Sequence, residues 1–293
     1  MAIVDLRKNM KEVISNLSSQ QTGIMSGIQA LDNTLLGFKK GEVITIGGRP
    51  GMGKSSLARG ILLNVGAPES GWGTVLYCTM EMSCEEVVEL LAANLAKINY
   101  YKYKKGDYTD KVKSLFDRAC AQLSSYNVII NDDSYITPDS IRELLKEIRK
   151  TETITCLIID YLQLMSLRRR VENRQEEVSE ISRELKAIAR EFELPVISLS
   201  QLNRNVETRE SMRPRMSDLR ESGAMENDSH KVILIHRPSR YYMSMDSNAE
   251  DTGEVELIVC KNRSGPEGII PCAFIAEWLG FVNIPGTEVK EEF

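Results

Sequence analysis

The segment Gly48-Arg49-Pro50-Gly51-Met52-Gly53-Lys54-Ser55 constrains this chain more than any other. It has the spacing G-x4-G-K-S, with the apolar run Val43–Ile46 before it and the helical pattern Ser56–Leu63 after it. A strand, a glycine-rich turn and a helix N-terminus in that order form a phosphate cradle. Backbone N–H groups turn inward where no Cβ obstructs them, and the helix dipole adds partial positive charge. Gly48 through Ser56 are therefore candidate nucleotide contacts. Lys54 is placed to reach the β- and γ-phosphates, and the Ser55 hydroxyl to ligate Mg²⁺. ATP and Mg²⁺ are the expected substrate and cofactor.

The rest of the chain supports the architecture such a cradle requires. Apolar runs recur at Thr74–Cys78, Val128–Ile130, Leu157–Ile159, Val196–Leu199 and Val232–Ile235, with helical patterns between them. One pattern, Glu176–Phe192, sets Val178, Ile181, Leu185, Ile188 and Phe192 on one face. Another opens at Thr137-Pro138, an N-cap followed by proline, with the stripe Ile141, Leu144, Leu145 and Ile148. Alternation of this kind predicts an α/β fold with a mostly parallel sheet covered by helices on both faces. Near the end, Glu254–Lys261 and Gly268–Ala276, joined by Asn262–Glu267, predict an appended antiparallel hairpin. At the start, Leu6, Met10, Val13, Ile14 and Leu17 stripe a short helix. It precedes a polar linker and docks either on its own domain or on a neighbouring subunit. The expected division is residues 1–22 for helix and linker and 23–293 for one large domain.

Composition narrows the partners. A formal net charge of −5 excludes a bulk polycation, so nucleic acid would have to be met by a local basic surface or a channel. No apolar run approaches the ~20 residues that span a bilayer, and no secretory signal opens the chain. The six cysteines form no CxxC pair, which points to reduced thiols in a cytoplasmic protein. His230 and His236 read as packing or surface residues rather than zinc ligands.

Further motifs point to the same chemistry. Leu157-Ile158-Ile159-Asp160 is an apolar strand ending in an acid that could hold Mg²⁺ through its water shell. Glu81, after the strand Thr74–Cys78, would orient and deprotonate an attacking water if that strand lay beside the P-loop strand. Otherwise it is an acid near the start of a helix at Ser83. Gln201, ending the strand Val196–Leu199, has both a donor and an acceptor with which to sense a γ-phosphate. Two basic loops follow nucleotide-site strands. Arg168, Arg169, Arg170 and Arg174 form one, and Arg204, Arg209, Arg213 and Arg215 the other. Each is either a solvated loop or a DNA-phosphate contact. Lys261 and Arg263, at the hairpin tip, either pair with local acids or reach the ATP of another subunit.

These motifs, in this order, resemble the DnaB family of replicative helicases. The resemblance runs through Arg49–Ser55, Leu157–Leu164, Glu176–Arg183, Leu199–Arg204, Ser217–Gly223 and Lys261–Pro266. It implies a RecA-like P-loop motor domain over residues 23–293. It also implies a homo-hexameric ring around single-stranded DNA, 5′-to-3′ unwinding and ATP sites between subunits, with a primase or a helicase loader as further partners. It makes Gln201 the γ-phosphate sensor and Arg263 a finger in trans beside Lys261, and it sets Arg220, Glu221 and Gly223 in a DNA-facing loop. The amphipathic stretch up to Leu17 looks like the linker helix of such proteins. Because little precedes it, the chain reads either as a truncated motor or as a small helicase of phage or mobile-element type. The stretch Met225–His230 departs from the family pattern. Two related readings share the fold: a RecA- or RadA-like recombinase and a KaiC-like regulatory oligomer.

Overall fold

The computed structural model describes residues 23–169, 171–209, 211–219, 223–245 and 250–286. The expected N-terminal helix and the candidate residues Arg170, Arg220 and Glu221 lie outside them.

The parallel half of the sheet is built from β1 (Val43–Gly48), β2 (Thr74–Thr79), β3 (Val128–Asn131), β4 (Ile154–Asp160), β5 (Val196–Gln201) and β6 (Lys231–His236). Antiparallel strands β7 (Glu254–Asn262), β8 (Gly268–Ile275) and β9 (Gly280–Val282) extend it. The order across the sheet is β3-β2-β4-β5-β1-β6-β7-β8-β9. β1, β2 and β6 are buried along their whole length. That is why they read as continuous apolar runs rather than alternating ones.

This order corrects one premise. β2 does not lie beside β1; β4 and β5 stand between them. Strand neighbours depend on where the crossovers land, and motif order along the chain does not specify that.

The helices are α1 (Gln29–Leu35), α2 (Lys54–Gly66), α3 (Cys84–Ala96), α4 (Tyr100–Lys104), α5 (Asp110–Leu123), α6 (Pro138–Ile148), α7 (Arg174–Glu191), α8 (Gly223–Asp228) and α9 (Pro238–Met245). α7 buries Val178, Ile181, Leu185 and Ile188, and Phe192 closes the stripe at its C-cap. Each such side chain contributes about 1.5–3 kcal/mol. α6 starts at Thr137, whose side chain exchanges hydrogen bonds with Ser140 in a capping box, with Pro138 in the first turn. α3 and α5 form a satellite core of Ala92, Ala93, Ile98, Phe116 and Ala119, on which α4 packs with Tyr103 stacked on Tyr108 and Phe116.

Two glycines set the geometry at the carboxyl end of β1. A Cβ on Gly47 would stand 2.6 Å from Leu234 Cδ2, so β6 can pack close only against glycine. Gly53 has φ 99° and would bring a Cβ to 3.0 Å from the Phe281 ring. A side chain there would meet both backbone strain and the ring wall.

Candidate nucleotide site

The carboxyl ends of β1, β2, β4 and β5 open on a cavity of about 560 Å³. Open α/β sheets bind ligands in such crevices. Its walls bring Pro50, Gly51, Gly53, Lys54, Ser55 and Ser56 together with Glu81, Asp160 and Gln201. The acid and amide candidates therefore converge on the cradle although their strands are not all neighbours. β2 and β4 are in register with Thr79 opposite Asp160, which carries Glu81 just beyond the Asp160 level.

Burial pushes the Lys54 ammonium below its ordinary value, and the nearby Asp160 and Glu81 carboxylates act against that shift. Its Nζ donates to the Arg49 carbonyl at 3.3 Å. Asp160 is only 2% exposed. Its Oδ2 accepts from the Tyr77 hydroxyl at 2.6 Å, while Oδ1 is buried without a hydrogen-bond partner among the described residues. An acceptor left bare in a polar crevice costs about 1–3 kcal/mol unless a ligand, ion or water meets it. Asp160 therefore suits a hydrated Mg²⁺. Ser55 lies in the same wall.

Glu81 is exposed to the cavity. The following helix is capped without it, by Ser83 and Glu86 in a reciprocal box. Among the described residues, no hydrogen bond ties the Glu81 carboxylate to that helix. The alternative of a helix-start acid has no such contact behind it, and the carboxylate faces the space where phosphates would sit.

Gln201 stands between two spaces. It lines the nucleotide cavity and also an adjoining one of about 410 Å³ bounded by Arg49, Tyr161, Gln163, Leu202, Asn203, Arg204 and Asp218. Gln163 clamps its backbone by accepting from the Gln201 N–H at 3.2 Å and donating to the Gln201 carbonyl at 3.3 Å, and it also donates to Ser200 Oγ at 2.9 Å. The Gln201 side chain is therefore presented from a fixed base.

Other candidates sit differently. The Arg49 side chain turns away from the nucleotide cavity, donating to Glu207 at 2.8 Å and to the Leu202 carbonyl at 2.8 Å. It ties the P-loop to the segment after β5. Met52 is buried in the core. Arg168 pairs with Glu143 at 3.1 Å and Arg169 with Glu180. Arg209 chelates Asp218, and Arg213 pairs with Glu256 at 2.8 Å. Arg204 is exposed, and among the described residues it forms no ion pair. Gly223 begins α8 rather than lying within a loop.

Lys261 and Arg263 lie elsewhere altogether. β6 runs parallel to β1 with Lys231 opposite Ile44, and β7 runs antiparallel to β6 with Asn262 opposite Lys231. The hairpin tip is therefore at the amino ends of the parallel strands, whereas the P-loop is at their carboxyl ends. A strand of six residues separates the two, about 20 Å at ~3.3 Å per residue. There, Lys261 Nζ donates to the Glu226 carbonyl and Arg263 Nη2 to the Asn227 carbonyl at 2.8 Å. Cations at a helix C-terminus are favourably placed. Of the two alternatives, pairing with local acids is not what these contacts show: both are to carbonyls of α8.

Several cavity residues escaped the sequence reading. Arg59 and Tyr77 lie behind Asp160. Arg237, 3.9 Å above the Phe274 ring, pairs with Asp251 at 2.5 Å and reaches the Gly51 carbonyl at 3.4 Å. Gln163 belonged to a quoted motif but carried no role. A spacing rule could have flagged Arg237, which directly follows β6, but none points to Arg59.

Among the described residues, no helix is long and apolar enough to cross a membrane. The six cysteines are free, with Cys78, Cys156 and Cys272 buried.

Comparison with known proteins agrees with this geometry. The family model described as DnaB-like helicase C terminal domain matches residues 23–283. The replicative DNA helicase DnaB of Geobacillus stearothermophilus is 37% identical over 274 residues, covering 93% of this chain and 59% of that protein. A probable replicative DNA helicase of Trieres chinensis is 40% identical over 263 residues, covering 89% and 57%. The chain thus spans somewhat under two thirds of the length of these relatives. Among solved structures, one described as an ATPase domain superposes with a TM-score of 0.85 at 31% identity, covering 97% of this chain and 100% of that one. A DnaB-like replicative helicase, described with its interactions with primase, gives 0.86 at 32%, covering 96% and 68%. The parallel sheet with its phosphate cradle is thus the RecA-like P-loop fold, and the chain belongs to the family of DnaB-like helicase C-terminal domains.

Proposed function

We propose that this chain is the ATP-hydrolysing motor of a replicative DNA helicase, acting as a homo-hexameric ring that moves 5′-to-3′ along single-stranded DNA. One observation carries the ring reading: Lys261 and Arg263 lie a full strand length from the chain's own P-loop. Cations there can serve a nucleotide only when it belongs to another subunit.

Within the chain, the P-loop N–H groups and Lys54 bind the ATP phosphates. Mg²⁺ bound with ATP supplies charge neutralisation on the β- and γ-phosphates, and the Ser55 hydroxyl and Asp160 would hold it. Glu81 orients the attacking water and takes its proton. The Gln201 amide detects the γ-phosphate from the wall shared with the second cavity. Loss of that phosphate would then be felt at Leu202–Arg204. Arg204 is exposed and free to meet a DNA phosphate, with Arg220, Glu221 and Gly223 as further candidates. Arg168 and Arg169 would have to leave their acids first. A primase and a loader are the expected partners of the ring.

The test is strand displacement from forked duplexes. ATP-dependent release of the duplex strand should require a 5′ single-stranded tail, and electron microscopy with ATP and DNA should show closed six-fold rings. Filaments with ATP-dependent strand exchange would instead favour a recombinase. Hydrolysis indifferent to DNA would favour a regulatory oligomer.

A further inference from the structure

The Asp160 carboxylate is held from behind by a polar chain that crosses the core. Tyr77 is fully buried in β2, and its hydroxyl donates to Asp160 Oδ2 at 2.6 Å. Register explains the meeting. Tyr77 stands opposite Ile158, and Asp160 lies two residues further along the same face of β4. Behind Tyr77 comes Arg59 of α2, 5% exposed, whose positive charge bears on the phenol and on Asp160 and whose Nη2 donates at 3.1 Å to Ser56 Oγ. Arg59 sits one turn beyond Ser55 on the helix that carries the cradle. An arginine and a tyrosine buried in a parallel α/β core are costly unless every polar group is met. Here Tyr77 meets Asp160 and Arg59 meets Ser56, and the other oxygen of Asp160 is left bare toward the cavity.

We propose that Tyr77, backed by Arg59, is a positioning pair that fixes the rotation of the Asp160 carboxylate and presents Oδ1 to the hydrated Mg²⁺. With Oδ2 engaged, the carboxylate cannot swing both oxygens into the core or share them equally with water. The positive charge of Arg59 near the phenol strengthens the O–H donation that Asp160 receives. This relay also sets a charge from α2, the helix that carries Ser55, behind the aspartate of β4. The proposal rests on the reading of the cavity as a Mg²⁺–ATP site.

The test measures binding rather than turnover. The full chain is titrated with Mg²⁺ in the presence of N-methylanthraniloyl-ADP, and the half-saturating Mg²⁺ concentration is read by fluorescence. The nucleotide affinity in EDTA serves as the metal-free reference. Groups that orient a metal-holding residue typically change metal affinity by 10–100-fold, so Tyr77→Phe should raise the half-saturating Mg²⁺ about tenfold. The EDTA affinity should stay within about twofold, because the phenyl ring keeps its packing. Arg59→Met should raise the half-saturation about threefold, and the double variant should be no worse than Tyr77→Phe, as links in one relay are not additive. If Tyr77→Phe does not fold, Arg59→Met alone decides. Unshifted Mg²⁺ dependence in the folded variants would overturn the relay and leave Tyr77 as packing. Asp160→Asn separates the two failures. If it too shows wild-type Mg²⁺ dependence, the Mg²⁺ site itself has been misread; if it shifts while Tyr77→Phe does not, only the relay fails.

Discussion

The two ends of the central sheet differ in how complete they are. At the carboxyl ends, one chain gathers the cradle, Lys54, Ser55, Glu81, Asp160 and Gln201 around a single cavity. At the amino ends, Lys261 and Arg263 rest on the last carbonyls of α8, with their backbone secured by Arg263 N–H donating to the His230 carbonyl at 3.1 Å. The first end is finished within the chain. The second offers two cations on a rigid hairpin whose present partners are neutral oxygens, which anionic phosphate oxygens would replace with stronger, charge-assisted bonds. The proposed roles would then separate binding, done by one chain, from hydrolysis, completed by another. In the proposed reading, each chain holds nucleotide alone and turnover waits for a neighbour.

That division makes the two ends respond differently to substitution. Lys54→Ala should abolish turnover and weaken nucleotide binding in the isolated chain as well as in the assembly, because the cradle loses its cation. Arg263→Ala should lower DNA-stimulated turnover by roughly 10³–10⁵. Nucleotide affinity of the isolated chain should remain unchanged in equilibrium titration. Equal losses of affinity in the two variants would erase the contrast.

Glu81→Gln keeps the shape and removes the base, so turnover should fall by about 10²–10⁴ with ATP still bound. Wild-type turnover of Glu81→Gln at saturating DNA would remove Glu81 from the chemistry. The smallest effect concerns DNA. Arg204→Ala should reduce the slope of log affinity against log salt by about one unit if its guanidinium meets one phosphate. A parallel salt series on wild type and variant measures it, and an unchanged slope moves the DNA path to other loops.

Much of this was legible in the sequence, for identifiable reasons. Parallel strands buried on both faces advertise themselves as apolar runs, and the P-loop carries its own strand and helix. Ends were underestimated: β1 continues through Gly47 and Gly48, and β5 through Ser200 and Gln201, because small or polar residues end an apolar pattern before the hydrogen bonding ends. β9 has only three residues and gave no periodic signal. Strand order was not readable, since nothing local to Thr74–Thr79 says that β4 and β5 will separate it from β1. Side-chain direction was not readable either. Arg49 lies inside the most specific motif, yet it points at Glu207, a partner 158 residues away. Arg168 and Arg169 looked like a basic cluster because Glu143 and Glu180, which face them, sit on separate helices. Arg59 interrupts an otherwise apolar helix stripe, which a pattern count scores as an exposed position; its partners are visible only once β2 and α2 are brought together.

If each nucleotide site is completed by the hairpin of another chain, mixing two inactive variants should restore activity. Arg263→Ala subunits keep an intact P-loop, and Lys54→Ala subunits keep an intact hairpin; each should be inactive alone. Mixed in varying ratios on single-stranded DNA, with subunit exchange verified by labelled chains, some interfaces would pair a working P-loop with a working Arg263. DNA-stimulated ATP hydrolysis should return in part and peak at intermediate ratios. If exchange is complete and no hydrolysis returns at any ratio, Arg263 does not act in trans, and the hairpin tip is a structural cap on α8.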